Sequence, residues 1–122
     1  MARRDDKPPA PPSGLGRTGR ALWRAVLADY ELTEPEQVLL REACRTADSI
    51  DALQNLLAAE GLMSESSQGV RVHPALVELR QQRLTLARLW SALRVPIGED
   101  HEVVGRTQHR GVRGVYSLRS VS

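Results

Sequence analysis

Residues 33–61, TEPEQVLLREACRTADSIDALQNLLAAEG, decide the fold. Thr33 stands three positions before Glu36, with Pro35 between them. The Thr33 hydroxyl can then accept from the third backbone N–H while the Glu36 carboxylate reaches back, and proline suits a first helical turn. Nothing breaks a helix from there to Glu60, and Gly61 supplies a left-handed stop. The pattern predicts a helix over 34–60, a rod of roughly 40 Å at about 1.5 Å per residue. Leu39, Ala43, Thr46, Ile50, Leu53 and Leu57 recur at alternating four- and three-residue steps, and Leu40, Ala47 and Leu56 widen the stripe. So broad a stripe predicts one edge packed within the chain and another offered to a second copy. Glu42, Arg45, Asp48 and Asp51 lie largely outside it and read as solvated charge.

Downstream, LMSESSQGVRV at 62–72 mixes Ser66, Ser67 and Gly69 with Val70 and Val72, which predicts a chain-reversing loop with room for a small β-hairpin. His73-Pro74 then opens a helix over 74–94, with Pro74 in its first position and Pro96 and Gly98 beyond its end. His73 reads as a turn residue with no second metal ligand beside it. Leu76, Leu79, Leu86, Leu89, Trp90 and Leu93 form a face that matches the long rod, so the two helices are expected to pair antiparallel. Arg80 and Arg88 face away from that seam, towards solvent, a neighbouring subunit or phosphate, and solvated charge is their plain reading.

Upstream, Leu22, Trp23, Val26, Leu27 and Tyr30 mark a short amphipathic helix over 18–30, with Thr18 as its expected cap and Trp23 as its core anchor. DDKPPAPPSG at 5–14 favours extended polyproline conformations, so residues 1–16 are expected to be a disordered, Pro-rich basic arm. Beyond the third helix, periodicity fails over 96–122 and Gly, Arg and Ser accumulate, which predicts a flexible tail. The expected architecture is therefore all-α. It has a short N-terminal helix and a long antiparallel helical hairpin forming one domain over 17–95, flanked by disordered basic N- and C-terminal tails.

Composition agrees with that reading. Aromatic residues make up 3% of the 122, with no Phe, so a core of Leu, Val and Ala between helices is the natural solution. The single Cys44 has no intramolecular disulfide partner and reads as a small core residue. No secretory h-region and no run of about 18 apolar residues is present, which leads us to expect a soluble, cytoplasmic chain without a membrane span. Net charge is only +2, yet its distribution is uneven: residues 1–20 carry an excess of three positive charges, and Arg106, Arg110, Arg113 and Arg119 stand in a C-terminal stretch without acids.

The residues for chemistry do not converge. His73, His101 and His109 form no helix-face pair, one cysteine makes no zinc pattern, and no phosphate-binding GxxxxGK[ST] loop exists. Gly14, Gly16 and Gly19 have the wrong spacing for a dinucleotide turn. The expectation is a non-enzyme with no cofactor and no metal, dependent on a partner for any energy-consuming step.

One succession of features stands out: Gly19 with Leu22 and Trp23, the Leu32-Thr33-Glu34 helix entry, Ala43-Cys44, Gly61, and His73-Pro74 followed by Arg80 and Leu89. In this order the chain from about Pro12 to Pro96, and more loosely its RGVRGVY segment, resembles the small subunit of a tailed-bacteriophage terminase of the type common in actinobacteriophages. The resemblance implies a ring-forming adaptor in the cytoplasm of an infected host cell. Such a protein selects double-stranded viral DNA for genome packaging and hands it to a large terminase subunit carrying the ATPase and nuclease.

Charge and position, not a matched motif, nominate the DNA-binding residues: Arg3, Arg4, Lys7, Arg17, Arg20 and Arg24, with Arg106, Arg110 and Arg113 in the tail. Asp29, Glu31, Glu34 and Glu36 at the junction of the first two helices would repel phosphate, which counts against a helix-turn-helix there. The apolar stripes nominate the oligomerisation residues: Leu39, Leu40, Ala43, Ala47, Ile50, Leu53 and Leu57, with Leu86, Leu89, Trp90 and Leu93. Two other classes compete, a helical protein-interaction module without DNA binding and a small transcriptional regulator.

Overall fold

The computed structural model describes residues 7–66 and 68–95. Its elements run α1 (Arg17–Asp29), α2 (Glu34–Glu60), β1 (Met63–Ser66), β2 (Gly69–Val72) and α3 (Pro74–Leu93). α2 begins on its capping box: the Glu36 N–H donates to Thr33 Oγ1 at 3.3 Å, and the Thr33 N–H donates to Glu36 Oε1 at 2.8 Å. The rod runs 27 residues to Gly61, whose φ of 86° favours glycine. Its ψ of 169° is extended, so the chain passes from α2 almost directly into a strand instead of making a left-handed helical turn.

That strand corrects the all-α expectation. β1 and β2 form an antiparallel ribbon with Met63 opposite Val72 and Glu65 opposite Val70, so the molecule is mostly helical with a two-stranded sheet between α2 and α3. Val70 and Val72 flank Arg71 with the period of two that a strand requires. Beyond the ribbon His73 acts as the N-cap of α3: its Nδ1 accepts from the Ala75 N–H at 3.0 Å, and its Nε2 lies 2.7 Å from Glu60 Oε1. A ring that accepts at Nδ1 carries its proton on Nε2, which donates to Glu60. His73 thus ties the end of α2 to the start of α3, more than a plain turn residue does.

α2 is the centre of the molecule, and both other helices pack on it. At one end Leu27, Leu40, Cys44 and Leu93 are fully buried among Leu15, Trp23, Val26, Tyr30 and Val95. At the other end the core shrinks to Leu57, Ala75 and Leu79, with Ile50, Leu53 and Leu76 half-buried around them. The end of α2 meets the start of α3, so the pair is antiparallel. Thr46 fits this apolar seam because its hydroxyl donates to the Glu42 carbonyl at 2.7 Å, one turn back.

The expected mobile arm is tied to the helical core at two points within residues 7–16, although most of that stretch is exposed. Leu15 is buried, and Trp23 Nε1 donates to the Pro9 carbonyl at 2.9 Å. A buried indole needs an acceptor, and a proline-rich segment already held extended supplies one at little cost in chain entropy.

α1 starts at Arg17, and its cap corrects two sequence readings. Gly16 is the N-cap and has no side chain to offer, while the Thr18 hydroxyl donates to Asp51 instead of capping. Asp48 does the capping from the neighbouring helix: the Gly16 N–H and Gly19 N–H donate to its two carboxylate oxygens at 2.6 and 2.7 Å. A carboxylate there also faces the positive end of the α1 dipole. Asp48 and Asp51 therefore join α2 to α1 instead of being solvated charge. Replacing Asp48 by Ala should lower unfolding free energy by about 2 kcal/mol, the worth of an N-cap with a charged acceptor. Urea denaturation reads this as a lower midpoint with an unchanged slope.

Burial, with help from the nearby Asp48 carboxylate, pushes the Cys44 thiol up to about 12. Thiolate is the reactive form, so Cys44 should resist an aromatic disulfide reagent at pH 8 in the folded protein and react at once in denaturant. Prompt labelling without denaturant would show that the near-end core opens readily.

Candidate functional site

The structure gathers three of the nominated arginines on α1. Arg17, Arg20 and Arg24 are exposed, and at about 100° per residue they fall within roughly 60° of one another around the axis. Gly19, Trp23, Val26 and Leu27 occupy the buried side. The arginine face carries no acid between Arg17 and Ala28, and the exposed Ala21 and Ala28 beside it leave the backbone approachable. Arg20 donates to the Leu15 carbonyl, while Arg17 and Arg24 make no ion pair among the described residues. The α2 arginines differ, since Arg41 and Arg45 both approach Glu42 Oε2, at 3.7 and 2.7 Å. Guanidinium groups with no carboxylate at hand are free to take phosphate, often bidentately.

Lys7 is exposed at the start of the packed arm. Arg3, Arg4, Arg106, Arg110 and Arg113, with the tail over 96–122, lie outside the described residues. Asp29, Glu31 and Glu34 are exposed at the α1–α2 corner, where they would oppose a phosphate, so any DNA contact by α1 has to use its arginine face and not that corner.

The nominated assembly residues divide. Leu40, Ala43, Ala47, Leu57 and Leu93 are buried within one copy and offer no surface to another. The stripe is taken up inside the chain because α1 and α3 cover two adjoining sides of α2. Leu39, Ile50, Leu53, Leu86, Leu89 and Trp90 remain half-buried. The large apolar side chains that do face outward are mostly others: seven of the eight, Leu56, Leu62, Met63, Val70, Val72, Val77 and Leu84, fall in the stretch from Leu56 to Leu84. Helical periodicity could not find those in the ribbon. Its two-residue alternation could, because Met63, Val70 and Val72 share one face of the paired strands.

The far end of the molecule is thus a two-helix hairpin with a three-residue buried core, carrying a ribbon whose apolar face is open. A lone two-stranded ribbon is marginally stable in water. A cleft of about 300 Å³ lies between the arm and the start of α2, with Pro12, Trp23, Val38 and Arg41 in its wall. Among the described residues no three His, Cys, Asp or Glu side chains converge on a metal site. No described helix is long and apolar enough to cross a membrane. Comparison of the chain with family models, with curated proteins and with solved structures gives no match.

Proposed function

We propose that this chain is a non-catalytic adaptor that assembles with copies of itself, binds duplex DNA and joins it to a larger machine. On the sequence resemblance, that machine is a tailed-phage packaging motor, and the chain its small terminase subunit. It would form a ring in the cytoplasm of the infected host cell and deliver viral DNA to a large subunit with ATPase and nuclease activity. The observation that carries the reading is the uneven distribution of cover. One end of α2 is wrapped by α1, α3 and the arm, while the other leaves seven large apolar side chains on its surface. Large apolar side chains exposed in such number along one stretch of a small chain are the kind of surface that docks a partner. The arginine face of α1 supplies the anion-binding half of the reading.

A direct test is titration of the full chain into a labelled duplex over a range of salt concentrations. The logarithm of the binding constant should fall linearly with the logarithm of salt, by about 0.9 for each phosphate neutralised. No binding at the lowest salt would remove DNA from the proposal and favour a module that docks protein alone.

A further inference from the structure

The side of α3 turned away from the core mixes apolar and basic groups. At about 100° per residue Val77, Leu84 and Arg88 fall within roughly 40° of one another, Arg80 stands about 60° to one side of Val77, and all four are exposed. Ala75, Leu79 and Leu93, which hold the helix to the core, lie on the opposite side. Neither Arg80 nor Arg88 makes an ion pair among the described residues. The one acid on α3, Glu78, lies about 100° round from Val77 and accepts from Gln82 at 2.8 Å. The stripe is therefore basic and apolar, and nothing described covers it.

The complementary chemistry stands at the α1–α2 corner. Asp29 closes α1 and Glu34 opens α2, and both are exposed without an ion pair among the described residues. Asp29 sits at the negative end of its helix dipole, and the last turn of α1 holds no basic residue. A cation from outside would relieve that repulsion. One turn along from Glu34 is Val38, the exposed large apolar side chain that falls outside the stretch from Leu56 to Leu84. Glu34 and Val38 both line the cleft of about 300 Å³. An acidic corner with an apolar recess offers the stripe on α3 what it lacks. Phosphate does not, because it leaves Val77 and Leu84 with nothing to pack on and is repelled at the corner.

We propose that the Val77–Arg88 stripe of α3 on one copy seats against the Asp29, Glu34 and Val38 corner of the next, so that copies join head to tail. The proposal rests on the reading of the chain as self-assembling and names the two surfaces that meet. A contact between different surfaces is heterologous, and it closes into a ring where the rotation between copies permits. Exposed ion pairs do less for affinity than for the choice of surface, so the apolar groups drive association and the charges decide which faces meet. Asp29 lies at least about 120° around α1 from Arg17, Arg20 and Arg24, which leaves the arginine face of α1 outside the contact.

The test is charge reversal in the full chain, with particle mass followed by light scattering over a dilution series and the helical signal checked by circular dichroism. R80E/R88E and D29R/E34R should each move the dissociation midpoint to at least about ten-fold higher concentration near 0.05 M salt, because each sets like charges against one another. A chain carrying all four substitutions should return to within about three-fold of the wild type, since the pairs are restored with their signs exchanged. That recovery cannot come from misfolding, because this chain contains both sets of changes. An unmoved midpoint in R80E/R88E, with the wild type still assembling, would overturn this proposal and leave self-assembly standing. A shift that the four-fold variant fails to recover would overturn it as well, by giving the α3 stripe to another occupant. A monomeric wild type would defeat both readings.

Discussion

Substituting Gly19 by Ala is expected to cost about 3 kcal/mol, the combined worth of overpacking a filled site and losing a helix cap. A Cβ at this position would lie 2.9 Å from the Cys44 carbonyl oxygen and would collide with the Asp48 carboxylate. The carbonyl belongs to the backbone of α2 and cannot swing aside. Asp48 can, but only by giving up its bonds to the Gly16 and Gly19 N–H groups. For a domain of this size each kcal/mol corresponds to roughly 4–8 °C in Tm, so thermal unfolding should fall by more than 10 °C. Substitution of the exposed Ala28 by Ser should stay within about 0.5 kcal/mol of the parent. The two α1 anchors are coupled: in the D48A background the collision is partly relieved and the cap already gone, so G19A should cost clearly less than in the wild type. Additive losses would mean that Gly19 is needed for something other than room for Asp48.

Replacing Arg17, Arg20 and Arg24 together by Ala should weaken duplex binding by about 100-fold near 0.1 M salt, and the loss should shrink as salt rises. Three phosphate contacts at about 0.9 of slope each set the upper bound of that effect at between two and three powers of ten. Arg20 also donates to the Leu15 carbonyl, so part of its loss falls on the arm. The melting temperature of the variant separates the two contributions: a drop of a few degrees belongs to the Arg20 tether, whereas the change in salt slope belongs to DNA. A triple variant that binds with the parental slope would remove α1 from the interface.

Most of the helical framework was legible in the sequence because it is written locally. The Thr33–Glu36 box, Pro74 at a helix start and the three- and four-residue apolar steps each act within a few residues of one another. The ribbon was legible only as a possibility, since Val70 and Val72 are two residues in a short polar stretch. What sequence could not reveal are the contacts that join distant positions. Asp48 caps a helix that begins more than thirty residues before it, and the charged face of an isolated rod gives no sign of that use. Pro9 likewise becomes an acceptor only once Trp23 is buried beside it. The widened stripe on α2 suggests surplus surface for a neighbour, yet α1 and α3 claim Leu40, Ala43, Ala47 and Leu57 inside one copy. Charge alone singles out Arg17, Arg20 and Arg24, and helical geometry is what turns three scattered letters into one surface.

The central claim is that one copy cannot cover its own apolar surface. Completing the burial of a half-exposed Leu, Val or Met contributes on the order of 1 kcal/mol. Seven such residues on each of two meeting copies together are comparable with the free-energy cost of association, about 4–15 kcal/mol, so assembly should depend on concentration. The most direct measurement is the mass of the full chain by light scattering coupled to size exclusion, from micromolar to several hundred micromolar. The account predicts a closed particle of several copies, which M63S/V70S/V72S reduces to monomer while leaving the helical signal in circular dichroism in place. A wild-type chain that stays monomeric and fully folded at the top of that range would contradict it.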